Sequence, residues 1–314
     1  MNAPLFDVSV IIVNYKTAEL TVQCINSIYE NTEDISFEII VVDNASDDGS
    51  VSIVKSKFSE VVVIENKVNL GFGKANNVGI DIAKGRNIFF LNSDTYLINN
   101  ALKILSDFLD SHPEVGACGG NLYNANMQPV YSYSRVFPNC FSMLNDLFLG
   151  IPFKLLYGKN EHFNYTGKLM EVKSISGADL MIPARIINKT GCFDPNYFMY
   201  CEETDLQCRI SQASYKIISM PEAEIVHLES ASYRHNLTKM AHILSSRRYF
   251  ILKNYSRLNY YISNFLFFII AILASLKNVL KVDFAAAKEN YRVVKLFSGL
   301  IFPSLMNHKK QNTD

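Results

Sequence analysis

The chain contains no C-x-x-C pair, no excess of either charge, no internal repeat and no low-complexity run, and each absence removes a class of protein. The six cysteines (Cys24, Cys118, Cys140, Cys192, Cys201 and Cys208) are scattered through apolar segments. That pattern fits reduced, packed thiols in a cytosolic compartment. The 30 basic residues cancel the 30 acidic ones. A nucleic-acid binder needs a basic excess to meet phosphates, so no nucleic-acid partner is expected. Residues 1–7 carry no basic run and lead directly into an apolar stretch too short for a secretory h-region, so no signal peptide is expected. The turn Asn69-Leu70-Gly71-Phe72-Gly73-Lys74-Ala75-Asn76-Asn77 lacks the third glycine of a dinucleotide fingerprint, because Asn76 stands there. That weakens an oxidoreductase reading.

What is present is an α/β alternation. With 314 residues, 49% of them hydrophobic, the chain is long enough for one large or two small domains and a substantial core. Residues 8–13 are a β-branched run and read as a buried strand. Leu20, Cys24 and Ile28 recur at helical spacing. Residues 37–42 read as a second strand that ends at Asp43. Ser46-Asp47-Asp48-Gly49-Ser50 is a turn and N-cap cluster ahead of a helix over 51–58. A short strand follows at 61–64, then a glycine turn at 69–73 and a helix to about residue 83. A fourth strand at 88–91 ends at Asn92-Ser93-Asp94, and a helix over 101–110 is closed by Pro113. From 123 to 170 the periodicity fades into aromatics, Asn and Pro, which suggests a long variable loop region placed to cover a substrate. Order returns at 172–183, in a helix over 203–211, in a strand at 215–220, and in Ile225-Val226-His227 after Pro221.

The cancelled charge hides an asymmetry. From Arg257 onward eight Lys/Arg face three acids, a local excess of five. The same tail holds the most apolar stretch of the chain. Residues 260–276 are 17 positions without a charge, near the lower limit of roughly 17–25 for a membrane span. Asn264 and two serines weaken a span. A second amphipathic segment runs over 284–301, with Tyr291, Val294, Phe297 and Ile301 on one side and Lys288, Arg292 and Lys295 on another. We read the pair as a helical hairpin lying in or dipping into one leaflet of a membrane; a helical domain packed on the remainder is the alternative. The expected division is a domain over 1–245 and a helical, basic, membrane-associated region over 246–314.

Polar residues recur in a fixed order: Asp43-Asn44 and Asn92-Ser93-Asp94 after apolar runs, Glu202-Glu203-Thr204-Asp205 after an aromatic stretch, and His227 at the end of a further apolar run. Carboxylates at strand ends are costly to desolvate unless something pairs with them. They suit a site that holds a nucleotide, a divalent cation and a proton acceptor. Ser9-Val10-Ile11-Ile12-Val13-Asn14-Tyr15, Val41-Val42-Asp43-Asn44-Ala45-Ser46-Asp47-Asp48-Gly49-Ser50 and the turn at 69–77 resemble the nucleotide half of a family 2, GT-A fold glycosyltransferase. Phe90-Leu91-Asn92-Ser93-Asp94-Thr95 resembles that family's metal motif. Gly191-Cys192-Phe193-Asp194, Tyr200-Cys201-Glu202-Glu203-Thr204-Asp205-Leu206 and Arg209 resemble its acceptor-side motif. The likeness covers about residues 8–235 and is nearest the bacterial rhamnosyltransferase-like enzymes of polysaccharide assembly.

The resemblance implies an α/β, GT-A fold with a mixed central sheet flanked by helices, here followed by C-terminal membrane-associating helices. It implies an inverting transfer of a sugar, with rhamnose favoured, from a dTDP- or UDP-linked donor to a saccharide acceptor. The acceptor is expected to be lipid-linked, in O-antigen-like surface polysaccharide synthesis at the cytoplasmic side of a bacterial inner membrane, with the enzyme peripheral or monotopic. Asp43 would accept the imide N–H of a pyrimidine base, with Val13, Asn14, Tyr15, Asn69, Gly71, Phe72, Lys74, Asn76, Asn92 and Ser93 completing the nucleotide pocket. Asp94 and His227 would hold Mg²⁺ or Mn²⁺. The family's motif is often Asp-x-Asp, and Asn92 leaves Asp94 as the sole anion of the motif. Glu202, Glu203 and Asp205 supply the acid–base group. Glu203 maps to the base, which takes the proton from the acceptor hydroxyl, and Asp205 to a supporting place beside Arg209 at i,i+4. Gly177, Ala178, Asp179 and Glu202 would line the acceptor side. On the residues alone, Asp43 also fits an Asx-turn, Asn92-Ser93-Asp94 a helix N-cap and the acids at 202–205 a solvated helix start. Two other classes stay open. A sugar-phosphate nucleotidyltransferase would want a basic, glycine-rich signature where Val13-Asn14-Tyr15-Lys16-Thr17 offers one Lys and no Gly. A non-catalytic membrane adaptor would have no use for acids at 94 and 203.

Overall fold

The apolar runs near the N-terminus become strands covered on both faces. The computed structural model describes residues 4–228 and 237–280. In chain order it begins β1 (Phe6–Asn14), α1 (Ala18–Asn31), β2 (Phe37–Asp43), α2 (Ser50–Lys57), β3 (Val62–Glu65), α3 (Phe72–Ile80), β4 (Gly85–Asn92), β5 (Thr95–Leu97) and α4 (Ala101–Ser111). It continues with β6 (Val115–Tyr123), β7 (Tyr133–Ser134), α5 (Cys140–Leu147), α6 (Ile151–Tyr157), β8 (Met170–Glu171), β9 (Ser174–Ile175), β10 (Asp179–Pro183) and α7 (Ala184–Thr190). Last come α8 (Glu202–Gln212), β11 (Lys216–His227), α9 (Leu237–Asn254) and α10 (Arg257–Leu280).

Nine strands form one mixed sheet in the order β3-β2-β1-β4-β10-β6-β11-β5, with β8 added on β11. The first four are parallel, and β10 runs antiparallel to both β4 and β6. Alternation along each strand feeds two cores. Val8, Val10 and Ile12 of β1 meet Cys24, Ile25 and Ile28 of α1 on one face, where α4 adds Leu102, Leu105 and Leu109. Ile11, Ile40, Val42 and Phe90 face the other way, toward Ala75 of α3 and Leu206 and Ile210 of α8.

Several expectations are corrected here. The region 123–170 is not one long loop: it holds β7, α5, α6 and β8. The segments at 215–220 and 225–227 are a single strand, β11, whose register shifts between Ser219 and Glu224. Pro221 lies within that irregular stretch, where a missing N–H costs the ladder least. Residues 95–97 form β5 against β11, a strand the sequence does not announce, while the helix expected over 101–110 is present as α4. The strand β6 and the helix α7 have no counterpart in the sequence reading. All six cysteines are free, and burial pushes the Cys24 thiol up to about 12, which leaves it inert.

The chain divides into two compact units. The first runs through Phe137 and resumes over Tyr157–Ala231; the second takes residues 138–156 together with α9 and α10. Within the second unit, α5 opens on a capping box in which the Asn139 side chain accepts the Ser142 N–H at 2.9 Å and Ser142 Oγ accepts the Asn139 N–H at 3.0 Å. The Cys140 N–H donates to Asn259 Oδ1 of α10 at 3.1 Å, and Arg247 of α9 reaches Asp146 at 3.2 Å. Among the described residues no helix is long and apolar enough to cross a membrane. The amphipathic segment read at 284–301 lies outside the described residues.

One turn in the first unit sets how close its parts come. Gly71 precedes α3 with φ +83°, and a Cβ there would lie 2.1 Å from the Phe198 carbonyl oxygen. That oxygen accepts the Phe72 N–H at 2.9 Å. The contact ties the start of α3 to the loop ahead of α8. Gly71→Ala is expected to lower stability by about 1–3 kcal/mol through backbone strain and overpacking, seen as a lower urea midpoint with an unchanged m-value.

Candidate active site

Three parallel strands deliver polar residues to one edge of the sheet. Asn14 of β1 is in register with Asp43 of β2, and Val13 with Asn92 of β4. In parallel sheets this carboxyl edge is where ligands bind. Asn14 is fully buried and acts as a hub. Its Nδ2 donates to Asp43 Oδ1 at 2.7 Å and to Ser46 Oγ at 3.2 Å, and its Oδ1 accepts from the Thr17 and Thr21 hydroxyls at 2.8 and 2.9 Å. Asp43 Oδ2 accepts the Ser46 N–H at 2.9 Å, so the turn role foreseen for Asp43 is real. Each carboxylate oxygen still has a lone pair for a ligand donor. Ser93 Oγ lies 2.9 Å from the Thr17 hydroxyl. Tyr15 is exposed beside Lys16, whose ammonium lies 5.7 Å from the ring centroid.

The glycine turn is organised by Asn44, a residue the sequence reading quoted but gave no role. Its Nδ2 donates to Asn69 Oδ1 at 3.0 Å and to the Gly71 carbonyl at 3.2 Å, and its Oδ1 accepts the Leu70 N–H at 3.0 Å. Asn69 Oδ1 also accepts the Gly71 N–H at 2.9 Å. Asn76, expected in the nucleotide pocket, is instead buried, with its Nδ2 donating to the Phe72 carbonyl at 3.1 Å. Its neighbour Asn77 bridges to the acceptor-side motif: it donates to the Phe193 carbonyl at 2.8 Å and accepts the Phe193 N–H at 3.0 Å. Lys74 is exposed on the same helix.

The two metal candidates meet although 133 positions separate them. Thr95 pairs with His227 where β5 runs against β11, and His227 Nε2 lies 3.3 Å from Asp94 Oδ1. Asn92 Nδ2 lies 3.5 Å from the same imidazole nitrogen. Among the described residues no cluster of three or more His, Cys, Asp or Glu could hold a metal ion. One carboxylate and one imidazole therefore stand at the sheet edge, joined by Asn92 to the cavity beside them.

That cavity, about 270 Å³, is walled by Asn92, Phe72, the strand-leading residues Ser176, Gly177 and Ala178, and the acids Glu202 and Glu203. The acids reach it through an unusual entry to α8. Tyr200 and Cys201 both have left-handed backbone, φ +69° and +63°. Such conformations in residues with a Cβ cost about 1–3 kcal/mol each and persist where the surroundings impose them. Nothing in the sequence signals this backbone conformation. Gln207 braces the same helix, donating to the Ile175 and Glu203 carbonyls at 2.9 and 3.1 Å.

Burial separates the two glutamates. Glu202 is buried, and its Oε2 has no hydrogen-bond partner among the described residues. Desolvation, then the neighbouring charge of Glu203, pushes its carboxyl well above the usual range. Glu203 keeps some exposed surface and accepts from the Thr204 hydroxyl at 3.2 Å; desolvation raises it as well. Both carboxyls are thus held toward the protonated form, Glu202 being the more deeply enclosed of the two. Asp205 is fully buried and paired with Arg209 at 3.0 Å, as the i,i+4 spacing implies. Arg209 in turn donates to the carbonyls of Thr190, Gly191 and Cys192 at the end of α7. Asp205 is thus built into the scaffold. Asp179, grouped with the acceptor wall by sequence, also lies wholly inside the sheet, where its Oδ2 accepts the Gly120 N–H at 2.6 Å and Oδ1 has no partner among the described residues.

Solved structures share this architecture. The chain aligns over 99% of its length, and 89% of the other chain, with the mannosyltransferase PcManGT from Pyrobaculum calidifontis in complex with GDP-Man and Mn²⁺, at TM-score 0.56 and 16% identity. It aligns over 74% of its length, and 45% of the other chain, with GalNAc-T7 with UDP, GalNAc and Mn²⁺, at TM-score 0.55 and 15% identity. The fold is that of GT-A glycosyltransferases. Residues 9–173 match the model described as glycosyl transferase family 2, more than half of the chain, and the chain belongs to that family. It is 24% identical over 247 residues to the rhamnosyltransferase WbbL of Escherichia coli, covering 73% of this chain and 90% of that one. It is 24% identical over 210 residues to the N-acetylglucosaminyl-diphospho-decaprenol L-rhamnosyltransferase of Mycobacterium tuberculosis, covering 62% and 67%. A shorter stretch, 102 residues at 41% identity, matches the poly(ribitol-phosphate) beta-glucosyltransferase of Bacillus spizizenii, 30% of this chain and only 16% of that protein.

Two predictions follow from the buried acids. Glu203→Gln should lower the transfer rate by roughly 10²–10⁴-fold with donor binding near normal. In the unsubstituted protein the rate should climb with pH as Glu203 ionises, with a midpoint above the ordinary 4.5. A crippled Asp205→Asn beside a mild Glu203→Gln would reassign the base.

Asp179 gives a stability test. Burial raises its pKa well above 3.8. The unfolded chain therefore loses this proton first, and the folded state is penalised increasingly as pH rises above that value. Asn cannot titrate and keeps an oxygen for the Gly120 N–H. The stability of Asp179→Asn relative to the unsubstituted protein should increase from pH 5 to pH 8 in urea titrations.

Proposed function

We propose that this chain transfers a sugar, with inversion, from a pyrimidine nucleoside diphosphate to a lipid-linked saccharide in bacterial surface-polysaccharide synthesis. The observation that carries the reading is the juxtaposition at Asn92. On one side Asn92 walls the cavity that holds Glu202 and Glu203, and on the other it approaches the Asp94–His227 pair. A leaving diphosphate and an attacking hydroxyl need such neighbouring positions.

Asp94 and His227 fit a divalent cation such as Mg²⁺ or Mn²⁺, because a carboxylate oxygen and an imidazole suit such ions and a bound diphosphate fills further positions. Both solved neighbours are complexes with Mn²⁺, which supports this. When bound, the ion neutralises charge on the diphosphate. The chain's own groups do the remainder. Asp43, held by Asn14 and Ser46, reads the base. Ionised Glu203 takes the proton from the acceptor hydroxyl as that oxygen bonds to the anomeric carbon and the bond from carbon to diphosphate oxygen breaks. Glu202 stays protonated and adds no second negative charge.

The rhamnosyltransferase relatives favour a dTDP-rhamnose donor, with UDP-sugars the other candidates, and one relative is named for a decaprenyl-linked acceptor. The basic, apolar C-terminal region supports a peripheral or monotopic position at the cytoplasmic face of the inner membrane. A panel of nucleotide sugars with Mg²⁺ or Mn²⁺, followed by mass spectrometry of a lipid acceptor extract, tests the reading. Product is expected with a pyrimidine-linked donor and with the metal present. Asp94→Ala should abolish transfer in a protein that still folds. Unchanged turnover after chelation would remove the metal from the proposal.

A further inference from the structure

The second unit buries Met143, Phe153, Leu244, Phe250 and Ile251 but turns one apolar helix face outward. In α10 the buried positions include Ser263, Asn264 and Ala271, at 3, 8 and 8% exposure. Leu258, Tyr261, Ile262, Phe265, Phe268 and Ile272 are exposed, Leu258 to 69% and Phe265 to 64%. Their three- and four-residue steps place them on one helical face. A helix packed in water buries the opposite set. The α5–α6 segment of the same unit repeats the pattern: Phe148, Leu149, Ile151, Leu155 and Leu156 are exposed, Leu149 and Leu155 to 85 and 83%. Scattered apolar side chains are ordinary on a protein surface, but a helix face and a neighbouring helical turn are not.

The charge of this unit identifies what covers the face. Residues 138–156 and 237–280 contain seven Lys/Arg and one acid, Asp146, an excess of six in a chain whose total is zero. Asp146 is already paired with Arg247. A second copy of the chain would bring two such units together against their mutual repulsion. An anionic lipid surface answers both features: acyl chains take the apolar face, and headgroups meet the cations. With no helix among the described residues able to cross a bilayer, the geometry is that of an interfacial helix. We propose that the exposed face of α10 and the α5–α6 turn are the lipid-contacting surface, embedded in the headgroup region of an anionic bilayer. The proposal rests on the membrane reading above and adds to it the contacting face and an element, residues 138–156, far from the tail in sequence.

Flotation of the purified full chain with vesicles tests it. Phosphatidylglycerol–phosphatidylethanolamine vesicles should carry the protein, and phosphatidylcholine vesicles should carry less. Phe265→Asp with Ile272→Asp, and separately Leu149→Asp with Leu155→Asp, should each reduce partitioning by about tenfold or more. Circular dichroism melts check that each variant is folded; the second pair, at the two most exposed positions, has the least to lose from packing. Folded variants that float as well as the unsubstituted protein would overturn the proposal and leave the tail reading standing. An unsubstituted chain that stays behind with anionic vesicles would overturn both. A dimer in solution that either variant disperses would assign the face to a second copy.

Discussion

The buried hydrogen bond from the Asn14 amide to the Asp43 carboxylate, 2.7 Å long, fixes the edge on which the candidate site is arranged. It joins the ends of two neighbouring parallel strands, and a charge-assisted bond in such a place is stiff because no water competes for it. From Asn14 the network passes to Thr17, Thr21 and Ser93, and from Asp43 to Ser46. Asn44 continues it into the turn at Gly71, and Gly71 presses on the loop that leads to Glu202 and Glu203. The β1–β2 end is therefore linked to the acids through packed polar contacts as well as through the apolar core.

Much of this was legible in the sequence where one rule acts alone. The β-branched run at 8–13 and the apolar run ending at Asp43 became β1 and β2 because strands covered on both faces need no alternation. The i,i+4 spacing of Asp205 and Arg209 announced their ion pair. Other features were hidden because tertiary contacts overrode local preference. The strand β6 contains Gly116, Gly119 and Gly120, a composition poor in strand propensity. Close packing requires them: a Cβ at Gly120 would lie 2.3 Å from the Ala223 carbonyl oxygen, and one at Gly119 2.2 Å from an Ile175 methyl. The meeting of Asp94 with His227 needed β5 to pair with β11, a contact no local signal encodes. Likewise, nothing between residues 138 and 156 indicated that this segment belongs with the C-terminal helices.

Burial gives the adjacent acids different work. In water Glu202 and Glu203 would titrate almost alike. Here both line the cavity, but Glu202 is enclosed with an oxygen that has no partner among the described residues while Glu203 keeps some exposed surface, so burial raises both and Glu203's charge raises Glu202 further. The third carboxylate, Asp205, spends its charge on Arg209 and so holds the end of α7 to α8. Three acids within four positions thus have three environments, set by which way α8 turns each of them.

The place of β10 in the sheet has a kinetic consequence. Strands β1 to β4 come from one continuous stretch and pair side by side, so this half can assemble from contacts close in sequence. Between β4 and β6, however, sits a strand that starts at Asp179, nearly ninety residues after β4 ends at Asn92. Until it arrives, β6 and β11 have no bridge to the first four strands, and the edge of β4 stands open. Long-range pairings of this kind are reached late because loop closure precedes any gain in contacts. During synthesis the half bearing Asn14, Asp43 and Asn92 would emerge and order first. The half bearing Glu203 and His227 would follow, with the exposed edge of β4 the point most open to mispairing in the interval.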